Sequence, residues 1–177
     1  MTAVEALRAA RAAGVAIALD GDDLVLEASS LPPEPILDAL SRNKVGIVNF
    51  LRPGDDGWCA EDWQVDFDER AGIAEFDGGL PRPEAEAQAF ACCVAEWLNR
   101  HPQTSPPDRC FACQGGDSAN DPLLPFGTEN SGHTWLHHRC WRAWHEGRKA
   151  EAVAALEGMG IEKPANFPKD FGKNGST

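Results

Sequence analysis

The sequence predicts an α+β protein that is mostly helical, and three observations support this fold class. Apolar side chains recur at the 3.6-residue period of a helix over several long stretches. Two short apolar runs near the N-terminus are separated by a turn rich in Asp and Gly, which is typical of a β-hairpin. In the last third, two pairs of Cys and His side chains flank a long polar loop, which indicates a helical module stabilised by zinc. We therefore expect three modules, residues 1–52, 53–105 and 106–177.

Length and composition limit the class of protein. The 177 residues are enough for one domain or for two to three small ones. No apolar run approaches the length of a membrane span, and the N-terminus lacks a charged region followed by an apolar stretch. We therefore expect a cytoplasmic protein with no membrane contact. In that compartment, six cysteines favour metal binding or free thiols over disulfides.

The net charge of −12 is concentrated in the middle of the chain. Residues 53–105 carry 12 acidic and 3 basic side chains, whereas residues 106–177 carry 9 and 8. Because an acidic surface repels phosphate groups, this distribution disfavours non-specific DNA binding by the middle module.

The chain begins with a predicted helix over residues 2–13. Thr2 is a suitable N-cap, because Glu5 lies three residues later and completes a capping box. Gly14 follows the last helical residue and is expected to end the helix.

A hairpin and further helix are predicted after this first helix. Short apolar strands at residues 15–19 and 24–26 are separated by a polar turn at residues 20–23. After a Pro-Pro break, one helical apolar pattern extends over residues 34–51 until Arg-Pro-Gly stops it.

The order and spacing of these elements resemble a known family. The segment A-L-R-A-A-R-A-A-G-V-A-I-A-L-D-G-D-D-L-V-L, then a Pro-marked second helix and N-K-V-G-I-V-N-F-L, is similar to the TubC-type N-terminal docking domain of nonribosomal peptide synthetase and polyketide assembly lines. The resemblance covers residues 2–52 and implies an αββαα fold that can form a homodimer. It also implies that a short C-terminal tail of a partner protein adds along the hairpin at residues 15–27. The acidic side chains of this hairpin favour a basic tail: Asp20, Asp22, Asp23 and Glu27.

The middle module is predicted to be an antiparallel helical hairpin. A linker at residues 53–57 leads into helices at residues 60–75 and 84–99, which a turn at residues 77–81 joins. The acidic side chains of these helices have no paired His or Lys, so we expect a solvated helix face rather than acid–base chemistry. The pattern D-W-x-x-x-F-D-E-R-A-G-I-A-E-F-D-G-G-L resembles segments of uncharacterised bacterial proteins encoded near phage or plasmid genes. Three thiols outside the last module are expected to serve packing only: Cys59, Cys92 and Cys93.

The last module contains the candidate metal ligands. Cys110 and Cys113 form a C-x-x-C pair, and after 23 residues His137 and Cys140 form an H-x-x-C pair. Two such pairs have the composition of a structural Cys3His zinc site, although the gap exceeds the roughly 15–20 residues typical of zinc ribbons. Two alternatives are a redox dithiol, which requires a preceding strand and a helix at the second Cys, and a buried pair of free thiols. The residues before Cys110, H-P-Q-T-S-P-P-D-R, do not predict a strand. A metal would stabilise the polar loop at residues 114–132, which cannot pack a core of its own.

Several histidines near the second pair are candidates for the fourth ligand. We prefer His137, since H-x-x-C spacing places it and Cys140 on one face of a helix. His133, His138 and the more distant His145 remain alternatives. Three tryptophans are expected to wall the metal: Trp135, Trp141 and Trp144.

The end of the chain is predicted to be helical with an interruption. After Cys140 the helix is expected to run to about His145, to be interrupted at Gly147 and to continue over residues 148–157. From residue 164 onward the composition predicts a tail, which we expect to be mobile beyond Phe171.

Together these features predict a non-catalytic, zinc-binding interaction or adaptor protein. An enzyme is disfavoured, because a catalytic zinc keeps an open coordination position and four protein ligands leave none. The alternative is a nucleic-acid-binding accessory protein that uses the basic side chains of the metal module: Arg139, Arg142, Arg148 and Lys149.

Overall fold

The computed structural model describes residues 2–127 and 132–167. Within these ranges the chain forms six helices and two two-stranded antiparallel sheets, which confirms the predicted α+β, mostly helical class. The chain divides into two compact units, Met1–Asp66 and Phe67–Thr177. The three modules expected from the sequence stay a prediction, because compactness does not measure which segments fold independently. None of the helices in the described ranges has the length and apolar character needed to cross a membrane.

The first unit has the element order αββαα over its first 52 residues. Its elements are helix α1 (Ala3–Ala12), strands β1 (Val15–Asp20) and β2 (Asp23–Ala28), and helices α2 (Glu34–Arg42) and α3 (Lys44–Leu51). The apolar faces of α1, α2 and α3 meet one side of the hairpin. They enclose a small core of buried side chains: Ala6, Leu7, Ala10, Val15, Leu40 and Ile47.

The start of α1 and the turn of the hairpin agree with the sequence. The hydroxyl of Thr2 accepts a hydrogen bond from the backbone N–H of Glu5, whose carboxylate accepts one from the N–H of Thr2. In the hairpin, Asp20 pairs with Asp23, so only two residues form the turn. Gly21 occupies the left-handed region there with a φ of +63°, which is the conformation that tight hairpin turns require.

Residues 34–51 form two helices rather than the single helix that the apolar pattern predicted. The break lies at Asn43, whose backbone has a φ of −104° and a ψ of 9°. Its side-chain amide donates to the carbonyl of Ala39 at 2.8 Å and thereby competes with the backbone hydrogen bonds of the helix. An apolar period alone does not report such a local side-chain contact.

The two helices of the middle segment are present close to their predicted bounds. Helix α4 spans Ala60–Phe76 and helix α5 spans Arg82–Arg100. In the turn between them, the N–H of Leu80 donates to the carbonyl of Ala74 at 3.1 Å, and Gly79 has a φ of +66°. This geometry closes the C-terminal end of α4, as a glycine after a helix commonly does.

The second unit contains a hairpin that the sequence did not predict. Strand β3 (Leu123–Phe126) pairs with strand β4 (Thr134–His137), and helix α6 (His138–Gly158) follows directly. Part of the expected structureless loop is therefore strand. Its apolar run Leu-Leu-Pro-Phe has one buried residue, Leu123, which packs against Leu136. The sequence did not predict this strand, because the short apolar run lies within a polar, glycine-rich segment. Residues 128–131, which were part of the expected loop, lie outside the described residues.

Helix α6 runs through Gly147 without interruption, so the predicted break is wrong. A helical glycine costs about 1 kcal/mol relative to Ala, which tertiary packing readily offsets. The packing comes from the residues that follow, since Ala152 and Leu156 are fully buried and α6 lies against α5.

The segments before Cys110 and after α6 are also packed against the rest of the second unit. Residues before the C-x-x-C pair run beside β4, where the N–H of Ser105 donates to His133 and its hydroxyl accepts from Trp135. After α6 the chain returns to α5, where Phe167 meets Phe90 edge-on at 5.0 Å between ring centroids. The predicted tail is therefore ordered as far as residue 167, and its expected mobile end beyond Phe171 lies outside the described residues.

Candidate metal centre

The first pair of candidate ligands is held by a tight backbone turn. The N–H of Gln114 donates to the carbonyl of Cys110, and the N–H of Cys110 donates to Gly115, both at 2.8 Å. Gln114 has a φ of +61°, a left-handed conformation that folds the chain back immediately after Cys113. The N–H of Phe111 donates to Trp135 and ties this turn to β4. The turn thus directs both thiols toward one point.

The second pair lies where β4 ends and α6 begins. His137 is the last residue of the strand and the N-cap of the helix, with extended backbone angles of φ −68° and ψ 146°. Cys140 lies in the first helical turn. The expectation that both residues share a helical face is therefore wrong for His137. The sharp passage from strand to helix brings the two side chains together instead.

The structure places the four predicted side chains in one group, here called the Cys3His cluster: Cys110, Cys113, His137 and Cys140. One ligand atom from each residue lies within 4.8 Å of all the others. Zinc–sulfur bonds of about 2.3 Å in a tetrahedral site separate two sulfurs by roughly 3.8 Å. The cluster therefore has nearly the dimensions of a tetrahedral metal site, and its residues could hold one ion.

The imidazole of His137 is oriented for binding a metal through Nδ1. Its Nε2 lies 3.1 Å from the carbonyl oxygen of Gly116, and its Nδ1 lies 3.3 Å from the sulfur of Cys113. A carbonyl only accepts hydrogen bonds, so Nε2 carries the proton and Nδ1 presents a lone pair to the thiols. This outer hydrogen bond is the usual support of a metal-binding histidine. The carbonyl of Gly116 also raises the pKa of His137, which is almost fully buried.

The thiols of the cluster have pKa values displaced in opposite directions. Burial raises the pKa of Cys110, but the backbone N–H groups of Cys113, His137 and Ala112 outweigh it and lower the pKa to about 6. Burial, followed by hydrogen bonds with Cys110 and Cys113, raises the pKa of Cys140 to about 11. Three thiolates so close together repel one another, so they cannot all ionise without a cation. A bound divalent metal removes this conflict, because it stabilises each thiolate directly.

An ion pair that the sequence did not reveal lies beside the cluster. The carboxylate of Asp121 is 2.7 Å from Nε of Arg139 and 3.8 Å from Nδ1 of His137. Asp121 raises the pKa of Arg139, and the nearby sulfurs of Cys113 and Cys140 raise it further. Arg139 therefore supplies positive charge next to the thiols. Eighteen residues separate the two partners, so no local spacing pointed to this pair.

Apolar side chains enclose the cluster on its inner side. Cys110 packs with Leu123 and Leu136 in a buried group. The three predicted tryptophans lie around this group together with Phe126, as the sequence led us to expect: Trp135, Trp141 and Trp144. The backbone of Gly115 lies close to the imidazole of His137, since a Cβ at this position would be only 3.2 Å from Cε1 of that ring.

The remaining candidates from the sequence do not join the cluster. Of the described residues, only the four cluster side chains form a group of His, Cys, Asp or Glu with metal-binding geometry. His138 is exposed on α6, and His133 contacts the ring of Trp135 instead. The free thiols of Cys59, Cys92 and Cys93 lie elsewhere in the chain.

The surroundings of the C-x-x-C pair differ from those of a redox dithiol. Residues 111–113 form a turn, and the left-handed Gln114 follows, so no helix begins at Cys113. A thioredoxin-like motif instead places its second Cys in a helix that follows a strand. Comparisons of this chain with protein-family models, with curated proteins and with solved structures gave no match.

Proposed function

We propose that this protein is a non-catalytic adaptor whose C-terminal module is held together by one zinc ion. The observation that carries the proposal is the convergence of three thiols and one imidazole within 4.8 Å. No combination of apolar contacts explains why three ionisable thiols and a buried histidine would share one site. Residues of the cluster come from two segments that are far apart in the sequence, so a shared ion would fix the fold between them.

The donor set favours zinc over other common metals. Thiolate sulfur and imidazole nitrogen are the usual ligands of tetrahedral zinc, whereas magnesium and calcium bind to oxygen. Four protein ligands also complete the tetrahedron and leave no position for an activated water, which supports a structural role. Zinc with three thiolates and a neutral imidazole would carry a net charge of −1. Arg139, which donates to Asp121 at 2.7 Å, lies near enough to Cys113 and Cys140 for their sulfurs to raise its pKa.

The adaptor role rests on the N-terminal unit and its resemblance to docking domains. Two apolar side chains of β2, Val25 and Leu26, are exposed. Among the described residues, β1 and β2 form a sheet of only two strands, so each has one edge to which a partner strand can add. A cleft of about 280 Å³ between β2 and α2, which Leu24, Leu37 and Leu40 line, would accept apolar side chains of a peptide tail.

The charge of the hairpin bears on the kind of tail. Asp22 pairs with Arg52, and Asp23 pairs with Lys44. Two of the four acidic side chains are thus partly neutralised within the unit, so a bound tail would depend less on basic residues than the sequence implied. Main-chain hydrogen bonds and apolar side chains would carry most of the affinity.

Nucleic-acid binding, the alternative function, gains little support from the geometry. Arg139 is paired with Asp121, and Lys149 is largely buried and paired with Glu146. Arg148 is buried as well and contacts Glu151. Arg148 and Lys149 therefore contribute to the packing of the module, and of the four basic side chains only Arg139 and Arg142 are exposed.

Metal analysis of cysteine variants tests the proposal. Protein purified under reducing conditions is expected to contain zinc at one ion per chain, and Cys113→Ser is expected to lose it. Cys92→Ser is the matched control, because its half-buried thiol lies outside the cluster. Absence of stoichiometric metal from the unmodified protein, or its retention in Cys113→Ser, would contradict the proposal.

The histidine ligand has its own matched pair of variants. His137→Ala is expected to lose zinc, since Nδ1 of His137 faces the thiols. His138→Ala is expected to keep it, because that neighbouring side chain is exposed and outside the cluster. Equal zinc content in the two variants would show that another group is the fourth ligand.

A further inference from the structure

Of the six cysteines, all of which lie in the described ranges, only Cys113 is exposed. The other five are buried or half-buried: Cys59, Cys92, Cys93, Cys110 and Cys140. The one cysteine that solvent reaches freely is therefore also a member of the Cys3His cluster. Because access decides in large part which thiol an oxidant attacks, oxidation of this protein is expected to begin at Cys113.

A zinc ion in the cluster would keep Cys113 in its reactive form. A thiol that coordinates such an ion is deprotonated, and the thiolate rather than the thiol attacks an oxidant. Cys110 would be a thiolate as well, but it is fully buried against Leu123 and Leu136. The inference therefore rests on the proposed zinc site and adds a means of regulating it.

The turn that holds Cys113 also supplies a second thiol. The N–H of Gln114 donates to the carbonyl of Cys110 at 2.8 Å, which closes a single turn around the two cysteines. Residues three apart in such a turn have Cβ atoms about 5–6 Å apart, and a disulfide needs about 3.5–4.5 Å. The two sulfurs already lie within 4.8 Å of each other. A disulfide between Cys110 and Cys113 therefore requires only a small adjustment of the turn.

Cys140 is the competing partner, because its sulfur also lies within 4.8 Å of Cys113. However, Cys140 belongs to α6, and its approach to Cys113 depends on the metal that joins the two segments. Backbone hydrogen bonds close the turn around Cys110 and Cys113, so these two sulfurs stay neighbours when the metal leaves. Closing a short loop also costs less entropy than closing a long one. Both arguments favour Cys110.

We propose that Cys113 is a site of oxidation by hydrogen peroxide, and that the product is a Cys110–Cys113 disulfide with loss of zinc. The thiolate of Cys113 attacks one peroxide oxygen, the O–O bond breaks and hydroxide leaves, which gives a sulfenic acid. The thiolate of Cys110 then attacks this sulfur, so an S–S bond forms, the S–O bond breaks and a second hydroxide leaves. Two thiolates thus lose two electrons in all, and one peroxide is reduced to two hydroxide ions. His137 and Cys140 are left as ligands, and two ligands are too few for a structural zinc site.

Titration of the full-length, zinc-loaded protein with hydrogen peroxide tests the proposal. A chromophoric chelator follows the release of zinc, and peptide mass spectrometry after alkylation of free thiols locates the disulfide. At peroxide concentrations that leave the half-buried Cys92 reduced, each chain is expected to lose its zinc and to gain a Cys110–Cys113 disulfide in parallel. A thiol reductant with added zinc is expected to reverse both changes.

The possible failures are distinguishable. Reduced protein that contains no zinc contradicts the proposed function, and this inference falls with it. Zinc-loaded protein that keeps its metal until Cys92 is oxidised overturns this inference alone. A disulfide that joins Cys113 to Cys140 overturns it as well, because the turn would then not select the partner.

A matched pair of variants separates the roles of the thiols. Cys113→His and Cys140→His each retain four ligands in a Cys2His2 set, which is a common structural zinc site. Cys140→His keeps the C-x-x-C pair and is expected to lose its zinc to peroxide as the unmodified protein does. Cys113→His lacks the exposed thiol and is expected to keep its zinc under the same treatment. Equal zinc release from the two variants overturns the proposal. If a variant does not retain zinc before peroxide is added, the position of the disulfide in the unmodified protein decides.

Discussion

At the scale of single residues, the arrangement of the Cys3His cluster depends on backbone groups as much as on its own side chains. Gly116 orients His137 through a carbonyl, and Gly115 leaves room for the imidazole ring. Outer contacts of this kind typically change metal affinity by about 10–100-fold when they are lost. Because Gly115 has no side chain, its contact with His137 can be tested by adding a single methyl group, whereas the same change at Gly116 keeps the carbonyl.

Gly115→Ala is expected to weaken zinc binding by about tenfold, since disturbing a group that orients a metal ligand has an effect of about this size. The new Cβ would lie 3.2 Å from Cε1 of His137, which is closer than ordinary contact, so it displaces the imidazole; the sulfur of Cys113, at 3.5 Å, is in normal contact. Competition with a chromophoric chelator measures the affinity. Gly116→Ala is the control in the same loop, because its Cβ would meet nothing closer than the Asp108 carbonyl at 4.0 Å. Equal affinities of the two variants would contradict this account of Gly115.

His145 predicts a pH dependence of stability. Burial, assisted by the charge of Lys149, lowers the pKa of His145 below its usual value of 6.5. Between the lowered native pKa and 6.5 the unfolded state binds more protons, so the free energy of unfolding falls as the pH decreases through this window. Above the window the contribution is fully present, and below it no further loss occurs.

The variant His145→Phe tests this dependence, because it retains a ring against Trp141 but cannot be protonated. The free energy of unfolding of the native protein is expected to decrease relative to that of His145→Phe as the pH falls below 6.5. Denaturant unfolding of both proteins over the same pH series measures the difference. A constant difference would show that His145 has the same pKa in both states.

At the scale of elements, α6 joins the Cys3His cluster to the rest of its unit. Its first turn carries Cys140, and its later turns bury Ala152 and Leu156 where it packs against α5. Gly147 lies between these two parts. The helix therefore connects Cys140 rigidly to the apolar core only if it is continuous at this glycine.

Gly147→Ala is expected to stabilise the protein by about 0.5–1 kcal/mol, the usual gain when Ala replaces Gly inside a helix. Nothing lies within 4 Å of the new Cβ, and the helix is regular there. Thermal unfolding measures the change. Gly160→Ala, at a φ of +86°, is the control and is expected to destabilise. A loss of stability in Gly147→Ala would indicate a break in the helix, as the sequence had predicted.

At the scale of the whole molecule, the chain combines two units with different sources of stability. The first relies on a small apolar core of three helices and a hairpin. The second adds the Cys3His cluster, and structural zinc contributes on the order of 10 kcal/mol in small zinc-dependent domains. We therefore expect removal of the metal to act on one unit and to leave the other folded.

Hydrogen exchange with and without a strong chelator tests this expectation. Chelation is expected to abolish protection across residues 106–157, because the turn that holds Cys110 and Cys113, the hairpin of β3 and β4, and the start of α6 are all tied to the cluster. Protection in α1, α2 and α3 is expected to stay unchanged, and added zinc is expected to restore the lost protection. Loss of protection in both units would show that they do not fold independently, and unchanged protection everywhere would rule out a structural role of the metal.

The sequence by itself determined the features that depend on neighbours in the chain. Helices α1, α4 and α5 follow from apolar period and capping, since those signals act within one or two turns. The two ligand pairs were also visible, because a C-x-x-C or H-x-x-C spacing already holds two side chains close together. Both the helices and the ligand pairs depend only on residues that are close together in the sequence.

Only the tertiary structure decided the features that join distant segments. Nothing in the sequence placed Nδ1 of His137 toward the thiols, since this depends on Gly116, which is 21 residues away. The same holds for the partnership of Asp121 with Arg139 and for the pairing of β3 with β4. Even the helix break at Gly147 was mispredicted, because packing against α5 outweighs the intrinsic cost of a glycine. Contacts across long stretches of chain carry free energies that local composition does not encode.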